Sequence, residues 1–227
     1  MLRTLRAVTA AAIDSLTTVV SFVVLGFMGM RLVSGVRASR SVRGRSIVSS
    51  VRRRLAWRHL WPVPFVLATV LISAYALMLV PGLDWGWWSA LGGEGNPVFG
   101  SSDQTAGTAW EWALPLLFIA LLIPALPLFA HAEERLFRSG AEQWSRARKL
   151  LKTVQFGLVH ALIGIPIGAA LALSLGGAYF LWTYLRTVRA TGSPSEALIE
   201  STTAHTAYNG VIIAVVAAGL LLYASGV

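Results

Sequence analysis

The chain has 227 residues, no cysteine, a mean hydropathy of +0.66 and 13% charged residues. A soluble domain carries about 25% charge, so these values exclude an ordinary soluble core, and the missing cysteines exclude disulfide and thiolate chemistry. The net charge of +9 would suit nucleic acid, but nine arginines (Arg31, Arg37, Arg40, Arg43, Arg45, Arg52, Arg53, Arg54 and Arg58) gather in one stretch between apolar segments. That is where a cytoplasmic loop places them, so the expected partner is the lipid bilayer, acidic headgroups included, and not nucleic acid.

The first predicted span runs from Ala7 to Met30 and carries one charge, Asp14. Arg3 and Arg6 precede it as in a signal peptide. The run is too long for that, contains Asp14 and is followed by no small-residue cleavage site, so a retained span is expected. The basic loop 31–58 follows, then a second span from Leu60 to Val80, flanked by His59 and Trp61 as interface anchors. Pro62 and Pro64 sit in its first turn, where a missing donor costs least. The loop 81–112 has no lysine or arginine and holds Asp84, Glu94, Asp103 and Glu111, with tryptophans (Trp85, Trp87, Trp88, Trp110, Trp112) at its ends. It is expected on the outer side.

The third span runs from about Trp112 to Ala132, with Pro124 and Pro127 expected to kink it near its end. After the basic stretch Arg135 to Lys152, no formal charge appears until Arg186, a 33-residue interval too long for one span. Gly164-Ile165-Pro166 divides it into a fourth span, about Gln143 to Ile163, and a fifth, Pro166 to about Leu185. Ser193 as N-cap, Pro194 at the first helical position and Glu196 at the third start another helix, expected first to lie along the interface. The last span is Asn209 to Ala224. The expected fold is therefore an all-α polytopic membrane bundle of six spans plus an interfacial helix. Loops 31–58, 133–152 and 186–200 face the cytoplasm. Residues 1–110 supply the N-terminal spans and 111–227 the chemical core.

Three stretches place polar groups where spans meet the cytoplasmic side. In Glu133-Glu134-Arg135-Leu136-Phe137-Arg138, Glu134 and Arg138 are four apart with the acid first, the favourable order for a helical ion pair. Glu133 lies about 100° round the helix and is free of that partner. In Phe156-Gly157-Leu158-Val159-His160 and in His205-Thr206-Ala207-Tyr208-Asn209, the first and last residues share a helix face. Ionisable groups inside a membrane mark functional sites. His131 matches none of these stretches and reads as an interfacial histidine, Glu142 as part of a solvated helix face, and the glycines of Ser174–Phe180 as packing contacts.

These stretches, EExxxR, FxxxH and HxxxN in that order, resemble the CPBP (CAAX protease and bacteriocin-processing, or Abi) family, intramembrane endopeptidases related to the type II CAAX prenyl endopeptidase. The resemblance covers about 126–225. It implies hydrolysis of a peptide bond in a membrane-associated protein or peptide, at a site near the cytoplasmic leaflet of the cell membrane. Residue by residue, it implies Glu133 as general base acting on water with His160, His205 and Asn209 as stabilisers of the oxyanion, Glu134 and Arg138 as the frame of the first motif, and Phe156 as packing. Such roles suit the reaction, which needs an activated water and donors aimed at developing negative charge. Zinc is left open. His160, His205 and Glu133 are the candidate ligands for a two-histidine, one-carboxylate site, yet there is no HExxH and Asn209 suits an oxyanion hole better. Two other classes compete: a non-enzymatic immunity or scaffold protein with a structural polar cluster, and a small transporter, for which inverted repeats are lacking.

Overall fold

The computed structural model describes residues 19, 23, 26–86, 95–96, 101–102 and 107–225. Most of the expected first span, with Asp14, lies outside them, as does most of the loop 87–106. Helix α1 covers 26–39 of the described chain. It is followed by α2 (Val42–Arg54), α3 (Trp57–Leu60) and α4 (Val63–Met78). A two-residue antiparallel pairing, β1 (Gly95–Asn96) with β2 (Ser101–Ser102), joins Gly95 to Ser102. Then come α5 (Trp110–Arg138), a 3-10 turn (Ala141–Gln143), α6 (Arg146–Leu158) continuing as 3-10 helix (Val159–Ile163), α7 (Ile167–Thr191) and α8 (Pro194–Ala224).

Local chemistry sets these boundaries. Ser41, Ser145 and Ser193 cap α2, α6 and α8 by accepting from the backbone N–H three residues on. Gly192 ends α7 at φ +67°, a left-handed conformation in which glycine carries no Cβ penalty. α5 passes through Pro115, Pro124 and Pro127 as one 29-residue helix.

Among the described residues, four helical stretches are long and apolar enough to cross a membrane: Trp57–Met78, Trp110–Gln143, Ile167–Thr191 and Pro194–Ala224. Their outward faces carry large apolar side chains, among them Phe65, Leu71 and Ile72 on α4, Leu117 and Ile123 on α5, and Val215 and Leu221 on α8. The polar residues Glu134, Arg138, Ser201, Thr202 and His205 are buried instead. This inversion belongs to a bundle solvated by lipid.

Two expectations change. The lead-in to the last span is not a separate interfacial helix. Residues Pro194 to Ala224 form one 31-residue helix, about 46 Å long, so its first turns overrun the hydrocarbon layer of about 30 Å. The fourth segment is not among the four apolar stretches, because α6 opens with Arg146, Arg148, Lys149 and Lys152. Its path nevertheless follows α7. Tyr184 donates to Glu142 at 2.8 Å near one end, and Gly157 packs against Ala170 and Ser174 further along. At the other end, the backbone N–H groups of Ile167 and Gly168 donate to the carbonyls of Trp85 and Leu83.

α7 lies against α4, α6 and α8, while α8 also meets α5, α2 and α3. Helices from both halves of the chain therefore interlock. The core is an aromatic cluster of Phe137, Phe156, Phe180 and Tyr208 with Val63 and Ala204. It sits directly beside the buried polar group.

Candidate active site

α5 delivers Glu133, Glu134 and Arg138, and α8 delivers Ser201, His205 and Asn209. Both stretches are α-helical here, so residues three or four apart share a face. Glu134 is fully buried. One oxygen, Oε1, accepts from His205 Nδ1 at 3.0 Å. The other, Oε2, accepts a short hydrogen bond from the Ser201 hydroxyl and lies 3.6 Å from Arg138 Nε. The guanidinium of Arg138, itself 1% exposed, donates to the Gly177 carbonyl at 3.1 Å and rests over the Phe156 ring with its carbon 4.5 Å from the centroid. A buried carboxylate is costly unless paired and hydrogen-bonded, and Glu134 has three partners.

His205 is held from all sides. Phe180 stacks on it at 4.2 Å and 19°, and Phe156 meets it edge-on at 5.6 Å. With Nδ1–H donated to Glu134, its Nε2 faces Glu133, whose Oε2 lies 3.8 Å away. That is too far for a direct hydrogen bond. The Glu133 side chain is 35% exposed, yet its Oε2 is a buried atom without a hydrogen-bond partner among the described residues. Arg138 Nε and Nη1 and the Tyr208 hydroxyl are in the same condition. Buried polar atoms are rarely left unpaired, so these four, on Glu133, Arg138 and Tyr208, single out this region.

The two adjacent glutamates thus differ as expected: Glu134 is committed to the frame with Arg138, while Glu133 keeps an uncommitted oxygen. The partner differs from expectation. Glu133 meets His205 and forms no ion pair with His160 among the described residues. His160 Nδ1 donates to the Phe156 carbonyl at 2.8 Å, its own helix one turn back, and its ring touches Phe156 at 5.3 Å. Phe156 is therefore a shared wall, its ring in contact with both imidazoles. Asn209 is half-buried one turn beyond His205 on α8.

The candidate zinc ligands do not form a set. Among the described residues no three His, Asp or Glu side chains cluster closely enough to hold a metal ion, so the arrangement does not fit zinc bound by His160, His205 and Glu133. Sequence reasoning missed Ser201, although its position four before His205 places it on the same face. His131 is not simply interfacial. Its Nδ1 lies 3.3 Å from the Thr202 hydroxyl, which donates to the Leu198 carbonyl, so the imidazole is the donor. His59, expected as an interface anchor, is buried among protein groups. It is 3% exposed, accepts from the Ala56 N–H at 3.2 Å and reaches Glu200 at 3.0 Å. Glu142 is likewise engaged, by Tyr184.

Comparison with known proteins returns no match: no family model, no curated protein and no solved structure.

Proposed function

We propose that this protein is an intramembrane endopeptidase of the CPBP type, hydrolysing a peptide bond in a membrane-associated protein or peptide. The observation that carries the reading is the buried Glu133 Oε2, without a hydrogen-bond partner among the described residues, facing His205 Nε2 at 3.8 Å, with the other imidazole nitrogen held by Glu134. A carboxylate oxygen and an imidazole lone pair at that separation are both acceptors. A water donating one hydrogen to each satisfies both and turns its own lone pair outward. In hydrolysis, Glu133 takes a proton from that water as its oxygen adds to the scissile carbonyl carbon. The proton then passes to the leaving nitrogen as the C–N bond breaks. Asn209 supplies an amide donor for the oxyanion, and His160 is the second histidine within reach of the Phe156 wall. His205 takes the place beside Glu133 that the motif comparison assigned to His160.

The proposed topology has six spans. The first is the segment Ala7–Met30, and α6 with its 3-10 extension is a fifth crossing beside the four apolar ones. Thirteen residues of α-helix and five of 3-10 helix reach about 30 Å. The arginine-rich stretch 31–58 supports a site near the cytoplasmic leaflet of the cell membrane.

The test is cleavage of candidate membrane peptides by purified protein in lipid nanodiscs, with products identified by mass spectrometry. Wild type should cut, with Glu133→Gln reducing the rate by at least ~10²-fold while the protein still inserts. Equal product from wild type and Glu133→Gln overturns the proposed base. No product from either across the panel, with cellular function kept in Glu133→Gln, favours a non-enzymatic scaffold or immunity protein built on the same buried cluster.

A further inference from the structure

A second site lies away from the glutamate–histidine cluster. α3, the C-terminal half of α7 and the first turns of α8 enclose a cleft of about 550 Å³. Three guanidiniums line it, Arg54, Arg58 and Arg186, against two carboxylates, Glu196 and Glu200. Glu200 is already engaged: it pairs with Arg58 at 3.2 Å, stands 3.8 Å from Arg54 and bonds to His59. Arg186 forms no ion pair among the described residues. Its guanidinium lies 5.2 Å from the Trp182 ring centroid, a contact that orients the cation and leaves its N–H fork free. The threonine hydroxyls of this wall are spent on their own helix, Thr183 on the Tyr179 carbonyl and Thr187 on the Thr183 carbonyl. The charged donors of the cleft are its guanidiniums, with Arg186 outside any ion pair among the described residues, so the ligand should be an anion.

The walls say which anion. Trp182 stacks with Tyr179 at 6.2 Å and 25°, and on the facing side Trp61 meets Phe65 edge-on at 6.3 Å. Phe65 is exposed on the apolar outward face of α4. The charged cleft thus opens through an aromatic belt onto lipid-facing surface, at the basic end of the bundle where tryptophan prefers the headgroup level. We propose that this cleft binds an acidic phospholipid, its phosphate on Arg186 with help from Arg54 and Arg58, and its glycerol and first acyl carbons along Trp182, Tyr179 and Trp61. A soluble anion would use the arginines but gain nothing from the aromatic exit.

Native mass spectrometry of the intact detergent-purified protein tests this, titrating phosphatidylglycerol, phosphatidylcholine with the same acyl chains, and free glycerol phosphate. Wild type should retain phosphatidylglycerol at roughly tenfold lower concentration than phosphatidylcholine, and glycerol phosphate should not compete. Arg186→Gln should abolish the preference, Arg186→Lys should restore part of it, and Arg148→Gln, on the Trp144 side of α6, should leave it intact. Trp182→Leu should weaken both lipids without inverting their order, a readout that stands if Arg186→Gln fails to fold. Equal retention of the two lipids by wild type, or a preference that survives Arg186→Gln, overturns the proposal. Competition by glycerol phosphate at equal concentration overturns the lipid assignment in favour of a soluble anion.

Discussion

Replacing Arg138 by methionine strips the buried Glu134 of its cation without opening a large void. The ion pair is 3.6 Å long with both side chains essentially unexposed, worth about 4–5 kcal/mol at an effective dielectric near 20. The hydrogen bond to Gly177 and the contact over Phe156 go with it. Ser201 and His205 still donate to the carboxylate, which offsets part of the loss. A cost of about 3–5 kcal/mol follows for an orphaned buried charge. The Arg138→Met/Glu134→Gln double variant removes the charge from both sides and should recover at least ~2 kcal/mol relative to the single change, a coupling expected for residues in one network. The assay is reversible unfolding in detergent by SDS titration, followed by circular dichroism, for wild type, both single variants and the double. If Arg138→Met costs under ~1 kcal/mol, or the double variant is as unstable as the two losses added, the pair is not buried as described and the frame around His205 is not what holds it.

Two further outcomes follow. Gly157→Val should destabilise the protein by about 2 kcal/mol or more in the same titration, because a Cβ there would lie 2.3 Å from both the Ala170 carbonyl oxygen and the Ser174 hydroxyl, and overpacking costs about 1–3 kcal/mol even where neighbours can shift. The chain contains no cysteine, so single cysteines report sidedness directly. Arg40→Cys, in the exposed turn between α1 and α2, should react with a membrane-impermeant maleimide only after cell lysis, and Thr108→Cys, before α5, should react in intact cells. The reverse pattern would invert the proposed topology.

Much of the helical frame was legible in the residues. Apolar runs marked the stretches that became α4, α5, α7 and the second half of α8, and Ser193-Pro194 marked the start of α8 to the residue. The i, i+4 spacing placed Glu134 with Arg138, and His205 with Asn209, on common faces, because the period of a helix is a local property. Spacing could not reveal that α8 runs on unbroken from Pro194, since a lipid-solvated helix and an interfacial one use the same local pattern. Nor could it assign α6, whose basic first turns and apolar end give conflicting signals.

Composition and local order marked this chain as a lipid-associated helical bundle with carboxylates and histidines set among its apolar segments, because burial of backbone polar groups in hydrocarbon leaves few other solutions. Which imidazole meets which glutamate was decided only by the packing of α5 on α8. Two neighbouring acids 100° apart on a helix are distinguished by the rotation of that helix about its axis, and that rotation is set by the fit of Phe137, Phe156 and Phe180 against their neighbours. The same packing brought Glu200 to His59 across 141 positions and left Arg186 on its tryptophan without an ion pair among the described residues, an arrangement that depends on long-range contacts no local pattern encodes.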